Sequence, residues 1–350
     1  MCAAVNEDQT HLVEYLQRIG FPLPADGSLP GPTLKTLWQV HRLHALNIAF
    51  ENLTFVHHKL KESERPIDLA HLHKRVVHGG RGGMCQEMNP LLFANLQRLG
   101  FHCYQGMASV VLQGSFKPAA KPFEGLVTST NLGDTINCMG THQIIFACVD
   151  GAWHLCDVGF GGLGIAEPIH LQAYDEAAAT NGTGDSSEGA QQQEAPEPWG
   201  VLPGAAAAAA AGCPGESHQC GSRFRLRRGV IGSAQLLPAD QAASHPEALS
   251  HVGWYLQCLV KGQWVDVYYF TRTLVTQPVI SACAEASFRG HPLFNNHMVV
   301  TKPLEDGRAT LMDWLLKVRH NGVVVEAREL KSEEERDGVL ADVFGINLAH

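Results

Sequence analysis

Apolar residues recur every three or four positions through the first 84 residues, whereas further on they fall into short alternating runs. "DQTHLVEYLQRIGF" carries its apolar residues at helical spacing and stops at Gly20, which predicts an amphipathic helix. "TLKTLWQVHRLHALNIAF" repeats the pattern, with Leu34, Leu37, Trp38, Val40 and Leu43 as one stripe. His41 and His44 flank that stripe and read as packing groups. "PIDLAHLHKRVV" predicts a short third helix, and "PLLFANLQRLGF" another that Gly100 stops.

Beyond Gly100 the texture changes. "HCYQGMASVVL", "HQIIFACV", "AWHLCDV", "FRLRR", "WYLQCLV" and "WVDVYYF" are short and rich in β-branched and aromatic residues, with turn residues between them. That predicts a barrel or strongly curled sheet rather than alternating strand–helix units. The stretch from "HMVVTKP" to "NGVVVEARELKSEEERDGVLADVFGI" reads as strands followed by one helix. Ser332 is its expected N-cap, and Glu335 is expected to return the bond as a capping box. Residues 176–222 are poor in large apolar side chains and read as a disordered insertion; the run Ala205 to Ala211 is too short to hold a helix alone. A second loop, roughly 114–136, precedes the "HQIIFACV" strand.

Composition narrows the class. A chain of 350 residues suggests two or three domains. With 45% hydrophobic residues it can bury a proper core, and a formal charge of −9 without a basic block argues against a nucleic-acid surface. Ten cysteines are scattered without a C-x-x-C pair, which fits neither a disulfide framework nor a zinc ribbon. "MCAAVNEDQT" lacks the features of a signal peptide, and no stretch approaches the ~20 apolar residues of a membrane span. The expectation is a cytoplasmic, monomeric protein with free thiols and no bound metal, making no contact with membrane or nucleic acid.

Two local patterns carry chemistry. In "THQIIFACVDGAWHLCDVGFGG", Asp150-Gly151 between two β-patterned runs predicts a two-residue type I′ hairpin. Val149 then faces Ala152, His142 faces Gly159, and Asp157 faces Ile144. His142 and Asp157 become diagonal neighbours on one face, ~7–8 Å apart at the backbone. A carboxylate in that place can fix the imidazole tautomer; a purely structural pair closing a barrel end is the alternative. Zinc held by His142, Cys148, His154 and Cys156 is excluded by the same register, which splits the four between opposite faces.

The second pattern is "GGRGGMCQEMNP", residues 79–90, where Cys85 follows four glycines and an arginine. Such neighbours let backbone or substrate come close. A lone Cys, a His–Asp pair and a helix N-terminus form a nucleophile–base–orienter set. Thiols in such places can fall from a pKa of ~8.5 to ~3.5–7.5. If Asn89 caps the helix and Pro90 is its first residue, Cys85 lies in the turn ahead and gains less from the dipole.

On these residues the chain resembles the arylamine N-acetyltransferases. The resemblance covers "YLQRIGF", "LHALNIAFENLTF", "VVHGGRGGMCQEMNPLLFANLQRLGF", the His142 hairpin, "DVGFGG" and "EEERDGVLADVFGINL". It implies an α+β fold in three parts. These are an N-terminal helical bundle (1–84), a central β-barrel domain with the catalytic residues (85–275) and a C-terminal α/β lid (276–350). It also implies an enzyme of xenobiotic metabolism working by a ping-pong reaction. Cys85 takes an acetyl group from acetyl-CoA, and an arylamine, arylhydrazine or arylhydroxylamine attacks the thioester. His142 is then the base and Asp157 the orienter.

The Cys85 amide and the segment Arg81 to Gly83 are the expected oxyanion donors. The resemblance puts Thr141, Gly159, Phe160 and Gly161 near coenzyme A, and glycines there can gather amides around a diphosphate; a flexible strand exit is the plainer reading of "GFGG". Arg81 is expected to brace the turn, and Glu51 and Asn52 to make contacts within the first domain. Met84 and Gln86 stand where many members have aromatics, so a differently shaped acceptor pocket is expected; the chain stops five residues after Gly345, where animal members carry a longer tail, and a more open cleft is expected from that. Rival readings are a malonyl or propionyl donor, a cysteine hydrolase or transglutaminase-like enzyme, and a non-enzymatic binder of coenzyme A.

Overall fold

The structure is a computed structural model, and it describes residues 7–57, 68–110, 142–171, 216–230, 252–290 and 292–348. Two helices open it, α1 (Glu7–Arg18) and α2 (Leu34–Asn47). Gly20, at φ +73°, takes the left-handed turn that ends α1, and the Thr33 hydroxyl caps α2 by accepting from the Thr36 amide at 3.2 Å.

The buried face of α2 is rotated from the expected stripe. Leu37, Val40, His41 and His44 are buried, whereas Leu34, Trp38 and Leu43 are half-buried. Both imidazoles can enter the core because each finds a partner there: His44 the Tyr15 hydroxyl at 2.8 Å, His41 the Ala166 carbonyl at 2.9 Å. The helix also ends sooner than its pattern suggests, because Phe50–Glu51 leave it to pair as β1 with Val300 and Thr301.

After α3 (Leu53–Val56), α4 (Leu69–Leu72) runs into π-helical turns at His73–His78. The glycine-rich turn then leads into α5 (Cys85–Arg98), which stops before Gly100 at φ +86°.

The following strands form one antiparallel sheet. They are β2 (His102–Val110), β3 (His142–Val149), β4 (Ala152–Cys156), β5 (Ile169–His170), β6 (Glu216–Gln219), β7 (Ser222–Val230), β8 (Val252–Val260) and β9 (Gln263–Phe270). Their spatial order is β5-β4-β3-β2-β9-β8-β7-β6. Ile169 near one edge shares a core with Phe224 and Leu226 near the other, so the sheet curls into a nearly closed barrel around Ile144, Phe146, Leu256 and Phe270. The alternate residues of β3 (Ile145, Ala147 and Val149) pack outward on Met88, Leu91 and Leu92 of α5.

The expected insertion at 176–222 ends too late. Residues 216–219 are β6, joined to β7 through Cys220 and Gly221, both at positive φ. The "HQCGSR" turn is a two-residue hairpin whose cue was hidden in polar surroundings. Residues 176–215 and the 114–136 loop lie outside the described residues.

Helices α6 (Gln277–Gly290) and α7 (Pro292–Asn296) lead to a second antiparallel sheet. Its members are β1, β10 (Val299–Leu304), β11 (Gly307–Met312), β12 (Leu315–His320) and β13 (Val323–Glu329), in that order, followed by α8 (Glu333–Asp342). The architecture is α+β. Ser332 caps α8 through the Glu335 amide at 3.2 Å, but Glu335 returns its bond to the Lys331 amide, one residue earlier than a capping box requires. Ala49 and Leu53 sit in the core of this C-terminal sheet with Val300, Leu311, Leu340 and Phe344.

Candidate active site

The hairpin of β3 and β4 has the register expected from the sequence. Val149 faces Ala152 and Ile145 faces Cys156, with Asp150 at φ 50° and Gly151 at φ 80° in the turn. His142 opens β3 and Asp157 follows β4 directly. Their side chains meet, with His142 Nε2 2.7 Å from Asp157 Oδ2 and both groups buried.

Asp157 accepts from three further donors. The Tyr268 hydroxyl donates to Oδ2 at 3.0 Å, and the Asn89 amide and the Gly159 N–H each donate to Oδ1 at 3.0 Å. Burial pushes this carboxyl up, but His142, Asn89 and Gly159 together hold it below its ordinary value. Burial likewise pulls His142 down, yet the Asp157 charge and Cys85 raise it, to about 10. An imidazolium at neutral pH, it lies between carboxylate and sulfur. Phe160 packs edge-on against the ring at 5.0 Å and Tyr268 lies at 5.2 Å.

Cys85 is the first residue of α5, so the expectation that Pro90 starts the helix is corrected. Pro90 therefore lies inside the helix, where it cannot donate to the Gln86 carbonyl. Asn89 is no cap either. Its amide donates to the Gln143 carbonyl at 2.5 Å as well as to Asp157, and its oxygen accepts from the Val158 amide at 2.9 Å. It thereby ties the nucleophile's helix to both strands of the hairpin. Cys85 remains half-buried while Asp157 and His142 are closed off.

Behind the glycine-rich turn stands a buried ion-pair cluster. Arg81 donates twice to Glu51 Oε1, at 3.1 and 2.8 Å, and Arg75 meets Glu87 at 2.5 Å. Glu87 in turn accepts from the Met84 amide at 2.9 Å, closing the first turn of α5. Glu51 is pushed up by burial but held below its ordinary value by Arg81 and Arg75. The Asn52 contacts lie elsewhere than expected: its amide donates to the carbonyls of Phe294 and His297 and its oxygen accepts from the Val299 amide, all in the C-terminal part. The Arg81 and Gly83 amides are engaged by Arg75 and Ala49 carbonyls, which removes both as oxyanion donors. The Cys85 amide keeps that possibility, since the first amides of a helix face no helical carbonyl.

Gly159 lies where no other residue fits, because an added Cβ would strike the Cys85 Cα. Its amide donates to Asp157 Oδ1 at 3.0 Å. Gly161 turns at φ 85°, and its carbonyl and that of Gly164 accept from Arg308 of β11 at 2.6 and 2.8 Å. Thr141 lies outside the described residues. A separate cavity of about 290 Å³ lies between α5, α6, β2 and β3, lined by Gln86, Gln143, Gln105, Phe93 and Ile280.

Three residues of the site escaped the sequence reading: Asn89, Tyr268 and His41. Burial lowers His41 to about 4, so it stays neutral, and its Nε2 accepts the Asp157 backbone N–H at 2.9 Å. The only available hint was polar side chains set in apolar patterns.

A family model described as N-acetyltransferase matches residues 33–123 and 240–350, more than half of the chain. It holds Cys85 and Tyr268 but passes over His142 and Asp157. The arylamine N-acetyltransferase / N-hydroxyarylamine O-acetyltransferase of Salmonella typhimurium is 30% identical over 142 residues, 41% of this chain and 42% of that protein. The chain thus spans less than half the length of that curated relative. An N-malonyltransferase of Fusarium pseudograminearum is 23% identical over 363 residues, covering 97% and 89%. In fold, the arylamine N-acetyltransferase of Mycobacterium marinum, solved in complex with CoA, superposes with a TM-score of 0.65 at 21% identity, over 97% of this chain and 93% of that one.

Proposed function

Since the chain belongs to the arylamine N-acetyltransferase family, we infer that it moves an acetyl group from acetyl-CoA to an arylamine, arylhydrazine or arylhydroxylamine through a thioester on Cys85. The observation that carries this reading is the buried His142 ring, held by Asp157 on one side and interacting with Cys85 on the other. The thiolate is the form of a cysteine that attacks a thioester, and the ring is placed to exchange protons beside it.

Cys85 sulfur adds to the acetyl carbonyl, the donor's C–S bond breaks, and His142 gives its proton to the departing thiolate. In the second half the amine nitrogen adds to the Cys85 thioester, His142 takes its proton, and Cys85 leaves as thiolate. Exchange of one thioester for another is close to thermoneutral, so the first half asks mainly for positioning. Phe160 stands beside the His142 ring and fits the approach of the acyl donor, with Gly161 next to it in the chain; Gly159 contributes by its lack of a side chain.

Incubation with acetyl-CoA should add one acetyl group, mapping to Cys85 by intact-mass and peptide analysis, and none to the Cys85→Ser variant. Labelling elsewhere, or only from peptide or glutamine donors, would remove the acetyl-transfer reading. A malonyl donor is the second reading, favoured by the near full-length likeness to the Fusarium N-malonyltransferase. Side-by-side acylation with acetyl-CoA and malonyl-CoA decides between the two by which loads Cys85 faster.

A further inference from the structure

Away from Cys85, four titratable side chains converge where α1 packs on the π-helical turns. His11 and Glu14 are three apart on α1, and so share a face. His73 and His78 are five apart, which in a regular α-helix would turn them about 140° away from each other. The wider π turns bring them together instead, with ring centroids 4.8 Å apart. Such turns are rare and recur frequently at functional sites.

The donor atoms are spaced for a small cation. Glu14 Oε2 lies 3.5 Å from His73 Nε2 and 3.2 Å from His78 Nε2. One ligating atom from each of His11, Glu14 and His73 falls within 4.8 Å of the other two. A tetrahedral zinc ion with bonds of ~2.0–2.2 Å needs donors about 3.3–3.6 Å apart, and the two carboxylate–imidazole spacings sit at that edge length. His73 is buried, at 5% side-chain exposure, while Glu14 at 33% and His78 at 55% open the cluster to solvent.

We propose that His11, Glu14 and His73 bind a divalent transition metal ion of the zinc class, with His78 rotating in as the fourth ligand. His73 Nε2 now lies 3.2 Å from the His11 carbonyl; on ligation the ion takes that nitrogen's lone pair and the ring's single proton is carried on Nδ1, so the imidazole binds as the neutral tautomer. Two imidazoles on the same carboxylate oxygen, with a third ring at 4.2 Å from His73, gather three nitrogen-bearing rings around one acid. The bound ion would fasten α1 to the turns that carry Arg75 and run into the glycine-rich segment ahead of Cys85.

The test uses the full chain, stripped with a chelator and titrated with Co²⁺, whose spectrum separates nitrogen and oxygen ligands from thiolate. The expected result is one equivalent giving the visible bands of four-coordinate Co²⁺ without sulfur-to-metal charge transfer, displaced by Zn²⁺. Glu14→Gln and His11→Asn, both at partly exposed positions, should weaken binding at least tenfold. They should also abolish the rise in melting temperature that Zn²⁺ produces, while the exposed His102→Asn should bind as the parent does. A thiolate-type spectrum, no bound equivalent, or equal binding by the parent and Glu14→Gln would overturn the site. Unliganded melting curves of both variants establish that each is folded.

Discussion

Asp157 and His142 control each other's charge, and the pH dependence follows from that. His142 stands near 10 in the folded chain against an ordinary 6.5, so the folded state binds its proton more tightly than the unfolded one. Its stabilising contribution is therefore complete below about pH 6.5 and disappears as the pH rises through about 10. Urea midpoints of the parent and of His142→Gln, compared from pH 6 to 10.5, should converge at the alkaline end. A constant gap would mean that the ring is held by packing alone. Tyr268 tests the other side of the carboxylate. Its burial raises its own pKa well above the ordinary value, so its hydroxyl stays protonated and donates. Tyr268→Phe removes one of four bonds to Asp157 and should lower kcat about three- to tenfold with KM little changed, roughly 0.7–1.4 kcal/mol in the barrier. An unchanged kcat would make the ring a wall and nothing more. The pairing of His142 with Asp157 was legible because both lie on one hairpin. Tyr268 and His41 were not, since they reach Asp157 from 111 and 116 residues away with no periodic signal to connect them.

At the scale of elements, the nucleophile depends on how closely α5 and the strand exit after β4 approach. Gly159 has no side chain, and any Cβ there meets the Cα of Cys85. Gly159→Ala should cost about 1–3 kcal/mol through overpacking and reduce Cys85 acylation more than the melting temperature alone would suggest. Acylation at the parent's rate in a destabilised variant would show that the contact is only structural. The helix start was misread from sequence because Asn-Pro imitates a cap. The Asn89 side chain prefers three strong partners in the hairpin, and the first turn is closed instead by Glu87 and Arg75. The Asp150-Gly151 turn, by contrast, was readable, because only residues tolerant of positive φ serve there.

The whole molecule is fastened by segments that cross between sheets. Phe50–Glu51 pair with β10, Arg308 of β11 holds the loop after Asp157, and the Asn347 amide donates to Gly80 at 3.2 Å. The strand that braces Arg81 is thus also an edge of the C-terminal sheet. Asn52 concentrates this linkage in one side chain with three bonds to residues 294–299. Asn52→Ala should cost about 1–3 kcal/mol and slow Cys85 acylation as the turn loosens. Loss of stability with acylation intact would separate the clasp from the site. Among the described residues, no helix is long and apolar enough to cross a membrane.

Local order was written into the sequence itself. Periodicity determined that α1, α2 and α5 are helices, though not where α5 begins or α2 ends; alternation and turn chemistry set the β3–β4 register, and the hairpin placed an acid beside a histidine. These depend on neighbours within a few residues, where geometry is fixed by the backbone. What only the tertiary structure decided is which distant polar groups share a buried volume: Asn89, Tyr268 and His41 around Asp157, and Glu51 with Arg81. Burial forces each of those groups to find a partner, but the partner is chosen by how helices and sheets pack, and no pattern along the chain records that choice.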